Sequence, residues 1–182
     1  MTMAFWIQTG DPEVKTAGGE VVLDIGDALV AVYPDHAERL IIGWNRVPVV
    51  VNYCDDLRYF VDDLVELLEE LRSDDFVQAE LTTGAADFFA VWSLRPDGEN
   101  LVIDSRWQNI VGNYEFLLNE RSQLTVRRAD FVAEWLKVIR RIVDDITARS
   151  VSMEIDETFL RAKALLVDSG DTTGAAGATD GA

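Results

Sequence analysis

Asp55-Asp56-Leu57-Arg58-Tyr59-Phe60-Val61-Asp62-Asp63-Leu64-Val65-Glu66-Leu67-Leu68-Glu69-Glu70-Leu71-Arg72 is the stretch whose reading organises the whole chain. Projected on a 3.6-residue helix, the carboxylates Asp55, Asp56, Asp62, Asp63, Glu66, Glu69 and Glu70 fall within an arc of about 140°. Leu57, Phe60, Val61, Leu64, Val65, Leu67, Leu68 and Leu71 occupy the opposite arc, roughly 160° wide. The pattern predicts a single amphipathic helix over residues 55–72. Asp55 and Asp56 then sit at its start and Arg72 at its end, both in the sense that the helix dipole favours.

Toward the N-terminus the chain reads as strands. Residues 5–9 are a short candidate. Residues 21–25 and 28–33 are apolar and β-branched, and Gly26-Asp27 between them predicts a turn or bulge. Residues 40–44 and 47–53 flank Asn45-Arg46 and predict a hairpin, with Pro48 suited to an edge or a strand start.

Toward the C-terminus a second block of strands spans residues 76–107. Thr82-Thr83-Gly84-Ala85 marks one turn. Phe88, Ala90, Trp92 and Leu94 share one face by period-two counting. Arg95-Pro96-Asp97-Gly98 predicts a tight turn, with Pro setting φ and Gly accepting a positive one. Leu101, Ile103, Ser105 and Trp107 return antiparallel, and residues 123–127 add a short strand.

A second long helix follows over residues 130–148. Its buried stripe is Phe131, Trp135, Val138, Ile139, Ile142, Val143 and Ile146. Its polar face mixes signs: Glu134, Lys137, Arg140, Arg141, Asp144 and Asp145. A last helix over residues 156–167 packs with Phe159, Leu165 and Leu166. This order predicts an α+β domain over residues 1–168, a mostly antiparallel sheet with two long amphipathic helices on one face. From Ser169 the chain holds no large apolar residue, and residues 169–182 read as a disordered Gly/Ala/Thr-rich tail.

Composition bounds the function classes. The chain has 182 residues, Lys+Arg 16 against Asp+Glu 33, and a formal net charge of −17. Hydrophobic residues make up 48%, enough for a full core. A charge of this sign repels nucleic acid and anionic membrane surfaces, and it attracts and steers basic surfaces. Solubility alone is the plainer explanation of the same charge. Cys54 is the one cysteine, so neither an intrachain disulfide nor a cysteine-held zinc is expected. His36 is the one histidine, which rules out sites needing two imidazoles. No signal-peptide pattern opens the chain and no apolar run reaches membrane-span length. The expected setting is cytoplasmic.

His36 lies beside Pro34-Asp35 in a loop, and no G-x-S-x-G segment supplies a nucleophile for it. Cys54 next to a helix start would have a lowered pKa from the dipole, but the neighbouring carboxylates act the other way. Glu66, Glu69 and Glu70 are metal-ligand types, yet no Glu-x-x-His motif or EF-hand loop accompanies them. Phosphate loops are absent. Asp24, Asp87 and Asp104 lie in or beside apolar strands, and a glycosidase-type pair would need one of them in an apolar pocket. Trp44, Trp92, Trp107 and Trp135 fall within periodic apolar patterns and read as core. Stacking of bases on Trp92 or Trp107 would need a basic track that the chain lacks. Neither catalytic residues nor a cofactor are assigned.

Two readings remain. In the first, Asp55, Asp56, Asp62, Asp63, Glu66, Glu69 and Glu70 engage a basic protein partner through charge-assisted bonds. Neighbouring carboxylates repel one another by a few tenths of a kcal/mol per close pair, and a cationic partner relieves that. Size, acidity and element order carry a resemblance, together with Asn52-Tyr53-Cys54-Asp55-Asp56-Leu57 and Phe131-Val132-Ala133-Glu134-Trp135. In these the chain resembles the small acidic immunity proteins of bacterial polymorphic toxin systems. The resemblance implies occlusion of a toxin's active site without catalysis. In the second reading the chain is a small-molecule-binding domain or an enzyme, with Asp24, His36, Asp104 or Trp92 lining a pocket between sheet and helices.

Overall fold

The computed structural model describes residues 4–15, 22–35, 37–149, 151 and 156–167. His36 and the expected tail at 169–182 lie outside the described residues. In chain order the elements are β1 (Phe5–Gln8), α1 (Ile25–Val32), β2 (Leu40–Trp44), β3 (Val47–Val51), a 3-10 turn (Leu57–Tyr59), α2 (Val61–Glu70), β4 (Ala79–Thr82), β5 (Phe88–Asp97), β6 (Asn100–Ile110), α3 (Glu115–Asn119), β7 (Gln123–Arg127), α4 (Arg128–Ala148) and α5 (Glu157–Val167). The architecture is α+β. The strands form two antiparallel sheets, ordered β1-β2-β3 and β4-β5-β6-β7, where one sheet was expected. No helix of the described residues is long and apolar enough to cross a membrane.

The hairpin between β2 and β3 forms where the sequence places it. Asn45 (φ 47°) and Arg46 (φ 71°) are both left-handed, as a two-residue turn between twisted strands requires. The Asn45 amide donates to the carbonyls of Arg121 (2.7 Å) and Gln123 (2.9 Å), tying this turn to the start of β7. Pro48 lies on β3, an outer strand. The β5–β6 turn forms two residues later than the sequence suggests. Pro96 is inside β5 opposite Leu101, and Gly98 (φ 59°) with Glu99 joins the paired Asp97 and Asn100. β4 pairs with β5 only as far as Leu94. Pro96 therefore lies where no strand flanks β5 on that side, and its missing N–H breaks no ladder.

Residues 25–32, expected as the end of one strand, a Gly26-Asp27 turn and most of a second strand over 28–33, are helical. Asp24 caps α1 by accepting the Asp27 N–H at 2.7 Å, so Gly26-Asp27 is a helix first turn and not a bulge. Ile25, Ala28, Leu29 and Val32 fall at helical spacing and are buried. Gly26 permits the close approach of the 3-10 turn, since a Cβ there would lie 2.9 Å from the Arg58 carbonyl oxygen.

The expected helix over 55–72 is broken. Phe60, at φ −141° and ψ 7°, separates the 3-10 turn from α2, so α2 begins at Val61. The cause lies in Asn52 and Asp56. Asn52 Oδ1 accepts the N–H groups of Cys54 (2.9 Å) and Asp55 (3.2 Å), and the Asp56 carboxylate accepts the Asn52 N–H at 2.7 Å. These side-chain bonds hold the backbone in a turn that competes with helix. Phe60 then buries its ring near Phe88 and Trp135.

One buried aromatic cluster runs through both sheets. Trp44 stacks on Trp92 with centroids 4.8 Å apart, Trp107 meets both, and Phe5 lies 4.7 Å from Phe131 on α4. The four tryptophans assigned to the core are all there, at most 2% exposed. α4 buries Phe131, Val132, Trp135, Val138, Ile139, Ile142, Val143 and Ile146. It lies against α5, β1, α1 and β7, and the shorter α2 lies against α5, β4 and α1.

Candidate acidic groove

The seven carboxylates of residues 55–70 divide into three environments. Asp55 is exposed in the turn before α2. Asp56 is turned inward at 3% exposure, with its carboxyl pushed up to about 6 by burial, opposed by the Asn52 N–H and reinforced by Asp87 and Asp55. Glu69 is half-buried and already has a cation. The Arg161 guanidinium of α5 grips it in a forked pair, with Nε 2.9 Å and 3.1 Å from its two oxygens. Asp62, Asp63, Glu66 and Glu70 remain on the exposed face of α2.

Three of those four form the wall of an open groove of about 400 Å³. Asp63, Glu66 and Glu70, with Leu67, line the α2 side, and Gln78, Ala79, Glu80 and Thr82 line the β4 side. Among the described residues, no Lys or Arg lines it. No ion pair among the described residues engages Asp62, Asp63, Glu66 or Glu70. Burial, then the neighbouring Asp62 and Glu66 charges, hold the Asp63 carboxyl above the usual range. Among the described residues, no three His, Cys, Asp or Glu side chains converge on a point that could hold a metal ion. The groove carboxylates are strung along its walls, an arrangement suited to several cations in a row.

Glu80 was not singled out by sequence. Its signal is the strand alternation of β4, in which Leu81 is buried while Glu80 and Thr82 are exposed. The loop from α2 to β4 then brings Glu80 opposite Glu66 and Glu70.

The other sequence candidates do not come together. Asp24 is the cap of α1. Asp104 lies on the outer face of β6, accepting from Gln123 at 2.9 Å and 3.9 Å from the Arg95 guanidinium. Asp87 is exposed before β5. Cys54 is buried, and its thiol is pushed up to about 11 by burial first and then by Asp55 and Asp35. A second open cleft, about 520 Å³, is lined by Ala4, Asn45, Arg46, Arg121 and Gln123, on the β2–β3 turn. Compared with known proteins, the chain matches no family model, no curated protein and no solved structure.

Proposed function

We propose that this chain is a non-catalytic acidic binding protein that neutralises a basic protein partner, in the manner of an immunity protein occluding a toxin's active site. The observation that carries the reading is the groove. Asp63, Glu66, Glu70 and Glu80 line one opening that no basic side chain among the described residues lines, with Glu80 also accepting the Ser93 hydroxyl of β5 at 3.4 Å. Evenly spread surface charge would serve solubility equally well, whereas a concave site lined by one sign of charge focuses the field. A toxin that acts on nucleotides or nucleic acid has a basic site, and the groove offers such a site complementary charge. The contact set proposed is Asp62, Asp63, Glu66, Glu70 and Glu80. Asp55 lies beyond its edge, Asp56 is turned inward and Glu69 is taken by Arg161.

The alternative of a small-molecule-binding domain or enzyme draws on Asp24, His36, Asp104 or Trp92. Of the described three, Asp24 is a helix cap, Asp104 lies on an outer sheet face and Trp92 lies in the core.

The test is association of the purified protein with the basic domain encoded beside it. A tight complex is expected, one whose association rate falls steeply with added salt. Absence of a complex at low salt would reject the reading.

A further inference from the structure

Resting on the acidic-groove reading, we infer that the basic partner enters as an added β-strand, pairing with the free edge of β4 while its alternate Lys or Arg side chains meet Asp63, Glu66 and Glu70. Among the described residues, β4 is the terminal strand of its sheet and pairs only with β5. Thr83 faces β5, since its N–H donates to the Ala90 carbonyl at 3.0 Å and its hydroxyl accepts the Ala90 N–H at 2.9 Å. Backbone direction alternates along an antiparallel strand, so Leu81 and Ala79 also face β5. The N–H and C=O groups of Glu80 and Thr82 therefore point away from the sheet, at the groove. An unpaired edge is a template for another strand.

Charge decides which strand. Edge strands are commonly guarded by charge or proline, and here the guard is entirely negative. It repels a second copy of the same edge, which brings Glu80 with it. A cationic strand meets attraction instead. Dimensions agree as well. Asp63, Glu66 and Glu70 span about 10 Å of helix axis at 1.5 Å per residue. β4 spans a similar length, about 10 Å at 3.3 Å per residue. Side chains two residues apart on an added strand lie about 7 Å apart on one face, so two cations fit along the acidic wall.

The probe is a short peptide alternating Lys and Thr, added to the full-length wild-type protein at low salt. Two further peptides carry N-methyl groups, one on the backbone amides of every Lys and the other on those of every Thr. In a strand only one of these sets faces β4. One methylated peptide should lose about tenfold or more in affinity while the other binds as the parent does. The Glu80 and Thr82 amide protons should become protected from exchange when the parent peptide binds. Equal affinity of both methylated peptides, or equal loss from both, with those amides still exchanging freely, overturns strand addition and leaves the acidic groove standing as a charge site. Failure of all peptides to bind overturns both.

Discussion

α4 and α2 are both amphipathic helices, and they treat their charges in opposite ways. On α4 Glu134, Lys137, Arg141 and Asp145 are paired within the fold, while Arg140 and Asp144 are exposed. Lys137 pairs with Glu134 and donates to the Ile7 carbonyl at 2.9 Å, while Glu134 accepts the Ile7 N–H. Arg141 binds Asp145 (2.7 Å) and Asp11 (2.9 Å), and the buried Tyr33 hydroxyl donates to the same Asp145 at 2.7 Å. Arg149, which caps the helix, donates to the Val14 carbonyl at 3.0 Å. The polar side of α4 thus fastens β1 and the segment after it to the helix. Burial and the Asp145 carboxylate together keep Tyr33 protonated far above its ordinary range. On α2 only Glu69 has an ion pair among the described residues, Arg161 also acts on Glu66 through space, and Asp62, Asp63, Glu66 and Glu70 are exposed. α4 carries its own cations, whereas α2 carries none. Paired charge specifies the fold, and unpaired charge is what a partner can meet.

Asp145→Ala should give the largest stability change. It strips partners from Arg141 and from the Tyr33 hydroxyl together, and should destabilise by about 2–4 kcal/mol in denaturant unfolding. A change below about 0.5 kcal/mol would break the contrast between the helices, since surface substitutions fall in that range.

Asp56 sharpens the contrast by pH. Its folded carboxyl lies at about 6 against an ordinary 3.8, so between those values the folded state holds a proton that the unfolded state releases. The stability from this group is therefore full below the ordinary value and is lost as pH rises through about 6. Asp56→Asn retains an acceptor for the Asn52 N–H but cannot titrate. Relative to this variant, the wild type should be more stable at about pH 4 than at about pH 7, by chemical denaturation at both. A constant difference would mean that the carboxyl is not held in the fold as described.

Arg161→Ala should cost less, about 0.5–1 kcal/mol, because the pair with Glu69 is partly solvated. Unlike Asp145→Ala, it should extend the acidic surface and make association with a basic partner faster. Smallest of all, Asp63→Asn should leave stability unchanged or raise it by a few tenths of a kcal/mol, by relieving repulsion from Asp62 and Glu66. Clear destabilisation by Asp63→Asn would show that this acid is structural.

Much of the architecture was legible from periodicity. The hairpin at Asn45-Arg46, the tryptophan core and the stripe of α4 all follow from apolar spacing, because burial is what that spacing records. Residues 25–32 misled because their β-branched composition was weighed above the Asp24 cap and the i, i+3, i+4, i+7 pattern of Ile25, Ala28, Leu29 and Val32. The break at Phe60 was hidden by a good helical projection, which has no term for the Asn52 and Asp56 side chains bonding backbone. The groove was half legible. Asp63, Glu66 and Glu70 share a face by local spacing, but Glu80 arrives through a chain reversal. Arg161 neutralises Glu69 from 92 residues away, and no local pattern encodes that pairing.

The central claim is that the unpaired acids of α2 meet a cationic partner. Its most direct test is the association rate with the basic partner domain, measured by stopped flow across ionic strength for wild type and for Asp62→Lys/Asp63→Lys/Glu66→Lys/Glu70→Lys, with circular dichroism confirming the fold of both. The charge-reversed variant should associate at least about tenfold more slowly at low salt, with the wild-type salt dependence lost or reversed. An unchanged rate with an unchanged salt slope would contradict it.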